Sequence, residues 1–194
     1  MYRLALAAAL ASLVLSGCGS GSGSENPGAA KDSQAADASY FTAADTDAIN
    51  KAASAVETAG AQASDAAKIA VCNKTKAYPA WRRCWHGLLD PYAKGLRNLA
   101  NVFTSLQPRG FPEACRTQLA AAAHTFSGFA AGVDPVLAGI DSNDRARQTS
   151  AGKAYGSTLN AITQGFAQPF RDVTQVCYSP AELASINASP APSP

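Results

Sequence analysis

From residue 42 onward, apolar residues recur every three or four positions in four long stretches, the spacing of helices that bury one face. The first opens at Thr42, a good N-cap with Asp45 three residues on, and carries Ile49, Ala52, Val56, Ala59, Ala63, Ala66 and Ala70 on one stripe. The second follows Pro79 and runs Trp81, Trp85, Leu88, Tyr92, Leu96, Leu99, Phe103 and Leu106 before Gln107-Pro108-Arg109-Gly110 ends it. The third opens at Pro112 and places Cys115, Leu119, Ala122, Phe126, Phe129, Val133, Leu137 and Ile140 together. The fourth carries Tyr155, Leu159, Ile162, Phe166, Phe170, Val173 and Cys177, and a short helical turn is expected around Pro180 to Ile186. Short connections between long helices favour antiparallel neighbours, so the expected fold is all-α, an up-down-up-down four-helix bundle. Pro91, Pro135 and Pro169 fall inside three of these helices and should kink or split them. Asp90-Pro91 and Asp134-Pro135 even read as a cap followed by a first-turn proline.

The ends of the chain lack this pattern. Leu4 to Leu15 is an apolar run behind Arg3, of export-signal length and too short to span a bilayer. It ends in Leu15-Ser16-Gly17-Cys18, which resembles the lipobox of bacterial lipoproteins. That resemblance covers about the first 20 residues, and the mature domain is matched to no specific family. It implies that residues 1–17 are a removed signal peptide and that Cys18 becomes the lipidated first residue. The chain would then hold to a membrane on the extracytoplasmic face through two or more acyl chains, enough for stable anchoring. Gly19, rather than aspartate, implies the outer membrane in a diderm and the outer face of the plasma membrane in a monoderm. Residues 18–41 then form the lipidated cysteine and a Gly/Ser-rich flexible linker, 42–187 the helical domain, and 188–194 a proline-rich disordered tail.

Composition sharpens the picture in two places. Alanine makes up about a fifth of the residues, which favours helices that approach closely. Charge is unevenly spread: residues 19–67 carry two lysines against seven acids, whereas 68–116 carry nine bases against Asp90 and Glu113. The middle third is thus a basic block, with Lys74, Lys76, Arg82 and Arg83 gathered beside Trp81 and Trp85. Bases with nearby aromatics suit an anionic envelope polymer, a lipid head group or an acidic protein surface. The competing account is that both tryptophans are core and the charges merely solvate one end of the bundle. Nucleic acid is not an expected partner for an exported chain.

Besides Cys18 there are four cysteines, Cys72, Cys84, Cys115 and Cys177, and an even number in an exported chain reads as two disulfides. Zinc is disfavoured, since there is no Cys-x-x-Cys and neither histidine stands at a ligand-like interval. In the expected topology Cys72 and Cys84 share the end far from the linker, and Cys115 and Cys177 share the near end. Crossed pairings would have to span about 40 Å, which excludes them.

Catalytic chemistry finds little support. Glu57 and Glu113 lack the histidine three residues on that di-iron bundles require. His86 and His124 lie off the apolar stripes and read as solvated surface histidines rather than haem ligands. No Gly-x-Ser-x-Gly elbow or phosphate loop is present. No cofactor is expected, and the oligomeric state is left open. The expected function is a non-catalytic, membrane-anchored envelope lipoprotein whose helical domain meets a partner. The alternatives are a carrier for a small apolar or lipid-like ligand, in a pocket opened by the three prolines, and an envelope enzyme.

Overall fold

The computed structural model describes residues 40–188, and among them every regular element is an α-helix. The expected signal peptide, Cys18, the expected linker up to residue 39 and the expected tail from residue 189 lie outside the described residues, while Ala188, expected to open the tail, still closes the last helix. The helices are α1 (Ala43–Ala63), α2 (Ala66–Lys74), α3 (Tyr78–Leu106), α4 (Glu113–Asp141), α5 (Arg145–Gly165), α6 (Gln168–Cys177) and α7 (Pro180–Ala188).

Local chemistry sets most of the boundaries. Thr42 and Asp45 form a capping box, so α1 starts where the sequence signals it. The first helical stretch does not run on to Cys72. It breaks at Ser64 and Asp65, and the Asp65 carboxylate accepts from Ala67 N–H (2.8 Å) and Lys68 N–H (3.3 Å) to cap a new helix. The apolar stripe breaks with it, leaving Ala66 and Ala70 exposed. Of the three internal prolines, two do not split their helices and one stands at a split. Helices α3 and α4 run unbroken through Pro91 and Pro135. Both prolines are exposed, so water can serve the backbone carbonyls that lose a helical donor. The fourth stretch does split, at Phe166-Ala167, with Pro169 in the first turn of α6.

Helices α3 and α4 pack most extensively on each other, α1 packs on α3, and α5 and α6 pack on α4. The paired residues run in opposite directions: Arg97 meets Asp134 while Phe103 meets Phe126. Gly139 lies against Ala151 and Gly165 against Phe129, so α4 and α5 are likewise antiparallel. A Cβ at Gly139 would stand 2.5 Å from that of Ala151, so the close α4–α5 approach requires glycine there.

Phe126 is the hub of the core. It stacks on Phe103 at 5.6 Å and meets Phe129, Phe166 and Phe170 at 5.3 to 5.9 Å. Phe41, the last residue assigned to the linker, belongs to this core instead. Its N–H donates to the Cys177 carbonyl at 2.9 Å, and its ring meets Phe111 and Tyr178 edge-on. The neighbouring Asp45 is only 4% exposed and pairs with Arg109. Burial alone would raise its pKa, but the Thr42 hydrogen bonds and the Arg109 charge outweigh that and hold the carboxyl below its usual range.

Two disulfides close the structure, Cys72–Cys84 and Cys115–Cys177, with Cα separations of 5.4 and 4.9 Å. They are the uncrossed pairs that the helix order selects. The sequence separations are 12 and 62 residues, so from chain entropy alone the first should contribute about 3 kcal/mol and the second about 4. Denaturant unfolding of the Cys72→Ser/Cys84→Ser and Cys115→Ser/Cys177→Ser double variants should therefore show the larger loss for the second pair. The reverse order would mean that the disulfides act through native packing rather than loop closure.

Candidate functional site

The Cys72–Cys84 bond brings the C-terminus of α2, the loop 75–77 and the first turns of α3 to one corner. The end of α4 completes that corner. Tyr78 Oη lies 2.9 Å from the Asp141 carbonyl and 3.2 Å from that of Ile140, and so donates to the free carbonyls of the α4 C-terminus. Its ring stacks on Trp81 at 6.1 Å. Trp81 is half-buried, whereas Trp85 is buried and meets the Tyr155 ring edge-on at 5.1 Å. Among the described residues the Trp85 Nε1 has no hydrogen-bond partner, so this side chain contributes apolar area and ring contacts alone. The core account of the tryptophans therefore holds for Trp85 and in part for Trp81.

Asp141 organises the charge at this corner. It pairs with Arg82, and its Oδ1 lies 2.8 Å from His86 Nε2. The other ring nitrogen of His86, Nδ1, lies 3.0 Å from Asp90 Oδ2. A neutral imidazole has one N–H and can donate to only one of these carboxylates, so the geometry favours the imidazolium. Burial opposes the charge, yet the Asp141 and Asp90 hydrogen bonds outweigh it and raise the His86 pKa. The Asp141 carboxyl is held below its usual range, chiefly by the Arg82 hydrogen bond. His86 is thus a clamped, half-buried group rather than a solvated one, while His124 is exposed as expected.

This pairing divides the four bases of the sequence cluster. Arg82 is committed to Asp141. Lys74, Lys76 and Arg83 are exposed and make no salt bridge among the described residues. Lys68 on α2 joins them, although it was not singled out from the sequence. Beside them Val71 is 62% exposed. The His86–Asp90 spacing of four was visible in the sequence, but Asp141 lies 55 residues from His86 and carried no local signal.

No three His, Cys, Asp or Glu side chains among the described residues could hold a metal ion together. The two carboxylates at His86 engage opposite ring nitrogens, which prevents a shared ion. Of the three prolines in the alternative carrier reading, two line surface grooves. One, of about 580 Å³, runs between α1 and α3 past Pro91; the other, of about 170 Å³, lies beside Pro169; Pro135 lines neither. No described helix is long and apolar enough to cross a membrane. Comparison with known proteins finds no matching family model, no matching curated protein and no matching solved structure.

The His86 clamp has a pH signature. A folded-state pKa raised above the ordinary 6.5 stabilises the fold below that pH, and the contribution is lost as pH rises through the folded value. His86→Ala should cost no more than about 1 kcal/mol near pH 5.5, the range for solvent-screened pairs, and close to nothing near pH 8.5. Urea unfolding at the two pH values measures this; an equal cost at both would assign His86 a packing role only.

Proposed function

We propose that this chain is a non-catalytic, lipid-anchored lipoprotein of the cell envelope, whose helical domain is an interaction module for an anionic partner. In this reading α1 with α2, α3, α4, and α5 with α6 act as the four members of an up-down-up-down bundle. The Cys115–Cys177 end faces the linker, and the Cys72–Cys84 end carries the docking surface.

One observation carries the reading. Exposed Lys74, Lys76 and Arg83 lie within a few residues of a single disulfide, without an acid to neutralise them among the described residues. The neighbouring Arg82 and His86 share Asp141, so that acid is already engaged. Among the described residues no internal ion pair has to be broken before these cations meet an anion, which favours binding over mere solvation. An anionic envelope polymer or an acidic protein face fits this chemistry, and a lipobox would hold the module at the extracytoplasmic surface. Attachment rests on Leu15-Ser16-Gly17-Cys18 alone.

Two experiments test these halves separately. Lys74→Ser, Lys76→Ser and Arg83→Ser together should lower retention on an immobilised polyphosphate about tenfold or more at low salt, with a shallower salt dependence. Arg82→Ser should change retention much less; equal retention by wild type and the triple variant would end the docking proposal. Independently, Cys18→Ser should release the protein from membranes and abolish the mass added by acylation, read by fractionation and intact mass spectrometry. Unmodified Cys18 in the wild-type chain would remove the anchor.

A further inference from the structure

The groove between α1 and α3 belongs to neither the charged corner nor the aromatic core. It extends from Ser54 to Gln62 along α1, a rise of about 12 Å, and from Leu88 to Asn98 along α3. Small residues create it. Ala55 and Ala59 on α1 face Pro91 and Gly95 on α3, leaving about 580 Å³ that longer side chains would have filled. Gly95 also lets Val56 come close, since a Cβ there would stand 3.3 Å from Val56 Cγ2. The two helices are therefore held tightly beneath an open furrow.

The lining specifies the chemistry of an occupant. Its apolar part is aliphatic, from Leu88, Pro91 and alanine, with no aromatic ring on which a flat ligand could stack. Lys94 is the one charged residue among those lining it, and no acid stands there. Lys94 has no salt bridge among the described residues, whereas Arg97 in the next turn is engaged by Asp134. An aliphatic furrow about one short alkyl chain in length, with a free ammonium beside it, is complementary to a single-chain amphiphile bearing an anionic head.

We infer that the α1–α3 groove is a binding site for a medium-chain alkyl carboxylate or a similar anionic amphiphile, its chain along Ala55, Ala59, Leu88 and Pro91 and its head on Lys94. This goes beyond the docking function and does not depend on it. Ala55 is exposed, so a large side chain there can fill the groove without disturbing the core.

The test is calorimetric titration of decanoate and of decanol into the full chain carrying Cys18→Ser, so that no acyl group of its own competes. Decanoate should bind with one site per chain, and Ala55→Trp should abolish binding while leaving the melting temperature unchanged. Lys94→Met should weaken decanoate about tenfold, the scale of one charge-assisted hydrogen bond, and leave decanol unaffected. The Lys74/Lys76/Arg83→Ser variant should bind decanoate as wild type does, which separates this site from the basic corner. Absence of saturable binding, unchanged binding in Ala55→Trp, equal affinity for decanoate and decanol, or loss in the corner variant but not in Lys94→Met would each overturn the inference.

Discussion

The antiparallel contact between α3 and α4 is the constraint on which the structure rests. Alanine dominates the buried face of α1, and each buried alanine removes little apolar area from water. The large side chains sit elsewhere, on the leucine and phenylalanine stripe of α3 and around Phe126 on α4. Every helix from α1 to α6 packs on one of these two, so the smaller faces gain their burial by lying against a seam already filled. Small residues then become an advantage, because Gly95 and Gly139 allow the flanking helices to come close.

The two ends of this seam are finished by different chemistry. At one end Asp45 is buried among Thr42, Arg109 and the Phe41–Phe111–Tyr178 rings, and Cys115–Cys177 links α4 to α6. At the other, Tyr78 donates to the carbonyls at the end of α4, and Asp141 holds both Arg82 and His86. Lys74, Lys76 and Arg83 make no salt bridge among the described residues, which is the basis of the proposed docking role.

Most helices were legible because their signals are local. Thr42 with Asp45, Pro79 and Pro112 mark starts that the chain obeys, and the stripe from Trp81 to Leu106 needs only its own spacing to be read. Where the structure departs from the pattern, each departure has its own physical reason. Ser64-Asp65 ended α1 because a capping aspartate could start a new helix there, and the alanine period masked the competition. Pro91 and Pro135 do not split their helices, since at exposed positions water can replace the lost hydrogen bond. Phe41 was misplaced because one aromatic beside a polar linker has no period, yet Phe111 and Tyr178 receive it.

The chain by itself determined its helical class, the uncrossed cysteine pairs and the concentration of positive charge in its middle third. These follow from spacing and composition, which act over a few residues or through the order of elements. Only the tertiary structure decided which of those charges are neutralised, that His86 bridges two carboxylates, and that the space near Pro91 is an open groove. Each of these depends on residues tens of positions apart meeting within a few ångströms, and electrostatic and packing forces respond to that separation in space rather than along the chain.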